Sequence, residues 1–487
     1  MRVPWSSISL IIFCNFILFA RSTRADPSID MHASTASCMG MGNPISFDLH
    51  RQQVLPAPLP QGVPTSSPLP HAVPTRFSFM PVRFVLTQQA VAGYEHTGIS
   101  LVGFNGTKFV PAGVTDDIGL YYVIPKTKTY LHLSTEQSLD LMVLCLIFVP
   151  TLSGIIGLYL LIRSKLYRLV AIVALCCVAI ISARFGDIYV IQSGIAVGLV
   201  PWILYFARRG ALDISFYVVL FIVGLTSVAA NTLRLHAGTP VLVFTVIVLL
   251  FQVKTSVLSR LSLIVTLAIG GLVPQLYFQK VLQNRDRFLL ATEGNYIPVV
   301  ARHPIWHNIY TGLGFLNNDY GLMLRDEVAI EKVRTMDPHA QYPSLAYERV
   351  VRKAVFDMIK THPGFVLFSF AAKFGVLLVI LIICSNHGLI AAARCPKPWP
   401  IECAFWSALS IASLNGVLVA PNPAYLLGFV ALCVLYGIVS LEWKKDRRDA
   451  YAVAKHDSVS AFRDGTPIAN GGAASGHVSD RHPLPSA

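Results

Sequence analysis

Charge is what this sequence has least of. Asp, Glu, Lys and Arg make up 13% of its 487 residues, against 54% hydrophobic ones, and the mean hydropathy is +0.58. Soluble domains carry about 25% charged residues, so the composition excludes an ordinary water-soluble globule and points to a chain whose solvent is the bilayer. Acid is scarcer than base, 26 residues against 39. Cysteine is scarce where it could staple anything. Cys14 falls in a leader, Cys145, Cys176, Cys177, Cys384, Cys403 and Cys433 in or beside apolar runs, Cys395 in a turn, and Cys38 alone in an exposed segment. That excludes a disulfide framework within the exposed parts of one chain, and no Cys spacing suggests zinc. Gly312 and Gly314 lack the strand context and Lys of a phosphate loop, no Ser/His/Asp or Cys/His signature is visible, and no internal repeat is evident.

What is present is a series of apolar runs. Nine stretches suit a bilayer crossing, at about 138–162, 167–183, 187–206, 211–232, 238–253, 261–280, 364–393, 399–420 and 421–442. Backbone amides in hydrocarbon must be paired within their own segment, so these are expected to be helices. If the crossings alternate, Arg163, Lys165, Arg168, Arg208, Arg209, Lys254, Arg260, Arg394, Lys397, Lys444, Lys445, Arg447 and Arg448 all fall on one face. The positive-inside rule makes that face the cytoplasm. The net charge of +13 is then topology and anionic-lipid contact, and no nucleic-acid partner is expected.

The expected organisation follows. Residues 1–25 are a secretory signal or a retained anchor: Arg2 precedes an apolar run at 8–20, with small residues at Thr23 and Ala25. Residues 26–80 are an extracytoplasmic tether, with seven prolines at 56–74 favouring extended chain. Residues 81–137 form an extracytoplasmic module that contains an acidic motif, and the β-branched and aromatic stretch 77–110 is expected to be partly β-structured. Crossings occupy 138–280 and 364–443, a large extracytoplasmic helical segment occupies 281–363, and a disordered cytoplasmic tail occupies 444–487. The fold class is all-α polytopic, with about nine transmembrane helices. Within 281–363, Ser344 caps a helix reaching about His362, a shorter helix spans 326–335, and the stretch HPIWHNIYTGLG at 303–314 is an aromatic, glycine-punctuated turn.

The candidate site residues lie on the outer face. Asp116 and Asp117 are adjacent carboxylates just before the helical array, with two readings open: catalytic acids, or caps of a short helix. Arg184 and Arg234 stand in outer turns where positive charge is disfavoured. Each either clamps a lipid phosphate or serves a local ion pair, such as Arg184 with Asp187. Lys373 interrupts an apolar run and is either functional or snorkels to the outer interface. His303 and His307 are four apart and share a face if helical, with two readings open: a pair of metal ligands, or a helix start at Pro304 that His303 precedes or caps.

An acidic motif of Thr115, Asp116, Asp117, Ile118 and Gly119 ahead of a helical array, followed by an outer segment with a surface helix at 343–363, resembles the GT-C class of integral-membrane glycosyltransferases. The resemblance covers residues 110–443. It implies a sugar donor carried on polyprenyl phosphate and an extracytoplasmic acceptor. Asp116 or Asp117 would be the general base, Arg184, Arg234 or Lys373 would stabilise the leaving phosphate, and His303 and His307 would lie on the substrate side. A Mg²⁺ or Mn²⁺ on the carboxylates is compatible with this chemistry without being required. The implied location is a cell membrane, the bacterial inner membrane, crossed many times with a cytoplasmic C-terminus. Two other classes remain open: a transporter or flippase of a lipid-linked or anionic substrate, and a non-catalytic envelope scaffold.

Overall fold

The computed structural model describes residues 75–113, 117–210, 212–294, 296, 305–340, 342, 344–394 and 398–443. The leader at 1–25, the tail at 444–487, Asp116, His303 and all of the tether except 75–80 lie outside the described residues.

The chain is an all-α multi-pass membrane protein with, among the described residues, one small β-hairpin. Among the described residues, eight helices are long and apolar enough to cross a bilayer. They are α3 (Thr135–Leu161), α4 (Lys165–Phe185), α5 (Val190–Arg209), α6 (Ile214–Leu233), α8 (Val257–Thr292), α12 (Pro363–Arg394), α13 (Trp399–Leu418) and α14 (Pro423–Trp443). α5 and α14 form the centre, with 78% and 83% of their apolar windows buried against 22–33% for the others. The outer helices turn Phe148, Ile180 and Leu367 outward, as a lipid-facing surface requires. The expected lower-face bases Arg163, Lys165, Arg208, Arg209 and Arg260 all sit at one end of these helices. That end is called lower here, and the opposite one upper.

The ninth expected crossing, 238–253, is a shorter apolar element, Thr239–Gln252. It consists of α7 (Thr239–Ile247) and a π-helical turn, Val248–Gln252. It nevertheless returns the chain from the upper end to the lower. α6 and α8 run parallel: Tyr217 meets Ser262 at 3.0 Å, Gly224 lies against the Leu267 carbonyl, and Gly271 against Val228. The segment joining two parallel helices must travel back between them. A short helix suffices because its start is sunk into the bundle. A Cβ on Gly238 would sit 2.1 Å from the Ser227 carbonyl oxygen, so only glycine lets the loop after α6 fold down beside it. At the lower end the Arg260 guanidinium donates to the Leu250 carbonyl at 3.0 Å, one of the acceptors at the end of the helix. Beside the sunken start of α7, a cavity of about 30 Å³ is lined by Gln192, His236 and Asn415 among apolar neighbours.

Two assemblies cover the upper end. The first joins α1 (Pro81–Thr97), β1 (Val102–Phe104), β2 (Phe109–Pro111) and α2 (Ile118–Leu131). Residues 81–97, expected to be partly β, are helical: Pro81 starts α1 and Gly98, at φ 68°, ends it. The β content is confined to the hairpin, paired Val102 to Pro111 and Phe104 to Phe109. Asn105 closes its turn by accepting from the backbone amides of Thr107 and Lys108 at 3.1 and 3.0 Å. Leu120, Tyr121 and Ile124 of α2 pack with Leu139 and Val143 of α3 and Tyr189 ahead of α5, which roots this cap on the bundle.

The second assembly comprises α9 (Ile305–Leu313), α10 (Asp326–Met336) and α11 (Leu345–Thr361). α10 and α11 lie where sequence places them, and the Ser344 hydroxyl caps α11 by accepting from Tyr347 N at 3.1 Å. The stretch 305–313 is a helix rather than a turn, because Glu348 accepts from the otherwise unpaired first amides of Trp306 and His307 at 3.0 and 3.2 Å. Gly312 lets α9 press against the Leu418 carbonyl at the end of α13.

Candidate functional site

The sequence-expected residues separate into distinct places. Asp117 directly precedes α2 at φ 65°, ψ 27°, a left-handed conformation that Asp tolerates better than most residues. It occupies the N-cap position of α2, yet its side chain makes no capping bond. Instead its Oδ2 accepts from Arg83 Nε at 2.6 Å and its Oδ1 from Arg234 Nη1 at 3.4 Å. Arg83 reaches on with Nη1 to Asp187 Oδ2 at 2.5 Å and with Nη2 to the Tyr189 hydroxyl at 3.2 Å. Asp187 Oδ1 accepts from the Ile188 amide at 2.6 Å. Both guanidinium carbons lie near the Tyr189 ring, 4.9 Å from its centroid for Arg83 and 4.7 Å for Arg234, and Tyr425 meets the same ring edge-on at 5.0 Å.

Five chain segments thus meet at the top of the bundle: α1, the start of α2, the link between α4 and α5, the end of α6 and the start of α14. Two carboxylates face two guanidiniums, all four residues buried at 5–9% exposure, and their formal charges cancel. Burial works against the charge of Arg83, but Asp117 and Asp187 outweigh it and hold its pKa well above the ordinary value. A buried pair of this kind adds little net stability, whereas removing one partner costs about 3–5 kcal/mol because a charge is left buried without its counterpart. The cluster therefore fixes geometry more than it adds stability.

The other expected residues are elsewhere. Arg184 is exposed on the last turn of α4, and Asp187, its suggested partner, is held by Arg83. Lys373 does not snorkel to the surface. It is fully buried in α12 and donates to the Val417 carbonyl at 3.2 Å, where its positive charge suits the C-terminal end of α13. His307 is buried in the second upper assembly, with Nδ1 2.7 Å from the Tyr347 hydroxyl and Nε2 3.1 Å from Asp326 Oδ1. Burial, and then the neighbouring Tyr342, Asp326 and Glu348, raise the pKa of Tyr347. His307 is a structural pivot of that assembly rather than part of the acidic cluster.

Among the described residues no group of three His, Cys, Asp or Glu side chains is placed to hold a metal ion. Asp117 and Asp187 already have guanidiniums on their oxygens, so this cluster carries its own counter-cations and does not fit Mg²⁺ or Mn²⁺. Sequence reasoning missed Arg83 and Tyr189 altogether and saw Asp187 only as a partner for Arg184. The one available signal was Arg83 itself, a lone base among Pro81, Val82, Phe84, Val85 and Leu86. The chain matches no protein-family model, no curated protein and no solved structure in the three comparisons made.

Proposed function

We propose that the protein is a membrane glycosyltransferase of the extracytoplasmic leaflet, moving a sugar from a polyprenyl-phosphate donor to an acceptor hydroxyl, with Asp116 as the general base. In this reading the upper end faces out of the cytoplasm, the membrane is the bacterial inner membrane, and the C-terminus is cytoplasmic. The observation that supports it is the buried cluster. Residue 117 is anchored by Arg83 and Arg234 at the head of the helical array, and this anchoring holds the middle residue of the acidic motif in place. Preorganisation of that kind is what a reacting carboxylate needs. Both oxygens of Asp117 are already engaged, so Asp117 is a positioning residue and its neighbour Asp116 carries the chemistry. The acceptor oxygen attacks the anomeric carbon, its proton passes to the Asp116 carboxylate, and the bond from that carbon to the phosphate oxygen breaks, releasing polyprenyl phosphate with inversion.

The test is release of polyprenyl phosphate from a panel of polyprenyl-phosphate hexoses by purified protein in proteoliposomes. Asp116→Asn is expected to lower the rate by about 10²- to 10⁴-fold with unchanged thermal stability. Wild-type rates from Asp116→Asn would remove the proposed base. Uptake of a solute without any glycosidic product would replace transfer by transport.

A further inference from the structure

A recess of the upper end lies away from the ion cluster, on the flank where α2 and the protruding part of α8 diverge. It has a volume of about 730 Å³, within the range of ligand pockets. Lys126 and Tyr122 of α2 form one wall, and Tyr277, Lys280, Asn284 and Arg287 of α8 the other. The lining has three cations and no carboxylate. The spacing of 280, 284 and 287 puts those α8 residues on one helix face. The nearby acids are turned to other work: Asp286 accepts from Arg285 and Tyr296, Glu293 accepts from the Phe109 amide, and Glu95 pairs with Lys128. The positive charge of the recess is therefore not offset by its own walls.

The height of the recess is as informative as its charge. Lys280 follows Arg260, at the lower end of α8, by twenty residues, which is about 30 Å of helix rise and matches the hydrocarbon thickness of a bilayer. Directly below it on α8, Leu272, Val273 and Leu276 are exposed at 50%, 47% and 61%, an apolar track leading up into the basic recess. Tyr122 and Tyr277, with touching hydroxyls, mark the threshold between them, and Lys126 Nζ donates to Tyr122 at 2.6 Å. A tyrosine pair at the boundary of an apolar track and a cationic recess is the arrangement that amphipathic rings adopt at headgroup level.

We propose that this recess binds the phosphate headgroup of a membrane lipid, gripped by Lys126, Lys280 and Arg287, with the lipid chain along Leu272, Val273 and Leu276. Three uncompensated cations exceed the single charge of a phosphodiester, so the ligand is a phosphate monoester or a diphosphate on a hydrocarbon chain rather than bulk phospholipid. Arg287 supplies the planar fork suited to two phosphate oxygens, and the lysines supply point charges. The proposal stands on the recess alone and does not require the transfer reaction.

Native mass spectrometry of the full chain, with phosphatidic acid, phosphatidylglycerol, decaprenyl phosphate and inorganic phosphate as separate probes, tests it. The monoesters phosphatidic acid and decaprenyl phosphate are expected to be retained, and Lys280→Gln and Arg287→Gln each to weaken retention about tenfold, a change of about 1.4 kcal/mol. Both side chains are exposed, so the folded state tolerates these changes. Asp116→Asn is expected to bind normally, which separates this site from the transferase reading. Equal retention of phosphatidylglycerol, or monoester retention unchanged in the double variant, overturns the proposal. Inorganic phosphate binding as tightly as the lipids overturns the lipid as its source.

Discussion

Asp117 combines a backbone conformation that few side chains tolerate with a charge shared by two arginines, and the two can be separated by substitution. Asn keeps the left-handed preference and removes the charge, so Asp117→Asn is expected to destabilise by about 3 kcal/mol through the stranded guanidiniums. Asp117→Ala should cost roughly 1 kcal/mol more for the backbone. Thermal unfolding of the two variants in detergent checks both figures, and equal losses would mean that the conformation carries no strain. Lys373 gives a second residue-scale test. Lys373→Met preserves volume but leaves the Val417 carbonyl without its donor, and is expected to cost about 1–3 kcal/mol, whereas a snorkelling lysine would make the change neutral. Asp117 and Arg234 were visible in the sequence as charges in unusual places. Their common partner Arg83 was not, because it lies 34 positions from Asp117 and 104 from Asp187, and nothing local signals a contact at such separation.

Helices could be read from the sequence wherever one physical signal dominated. Long apolar runs gave the crossings, and Ser344 with the apolar spacing behind it gave α11. Reading failed where a distant partner decides the conformation. α9 depends on Glu348 accepting from its first amides, and α1 looked strand-like because Val82, Phe84 and Val85 favour strands locally. The length of α7 was equally hidden, since its sunken start depends on a contact between Gly238 and α6. Gly238→Val is therefore expected to destabilise by at least about 2 kcal/mol through overpacking against the Ser227 carbonyl. A Cβ on Gly375 of α12 would meet open space, so Gly375→Ala is expected to be neutral or to stabilise by up to about 1 kcal/mol. Equal melting temperatures for these two variants would contradict the packing described for α7.

At the scale of the molecule, both upper assemblies and the ion cluster share one end, so orientation decides which compartment they serve. In a variant background without native cysteines, Lys108→Cys on the exposed hairpin should react with a membrane-impermeant maleimide in intact cells. Lys165→Cys at the lower end should react only after permeabilisation. The reverse pattern would place the recess and the cluster on the cytoplasmic side. The shortness of α7 has a further effect at this scale. The element Thr239–Gln252 has 14 residues, about 21 Å of helix, against a hydrocarbon layer of about 30 Å. The start of α7 accordingly lies below the top of α6, with Gly238 against the Ser227 carbonyl, six residues before α6 ends at Leu233. Beside that sunken start, the cavity that Gln192, His236 and Asn415 line among apolar residues is large enough for a water molecule and offers it polar partners. A water held there would hydrate the start of α7 below the headgroup plane, and amides at the start of α7 should exchange with solvent deuterium sooner than those of α5 at the same depth.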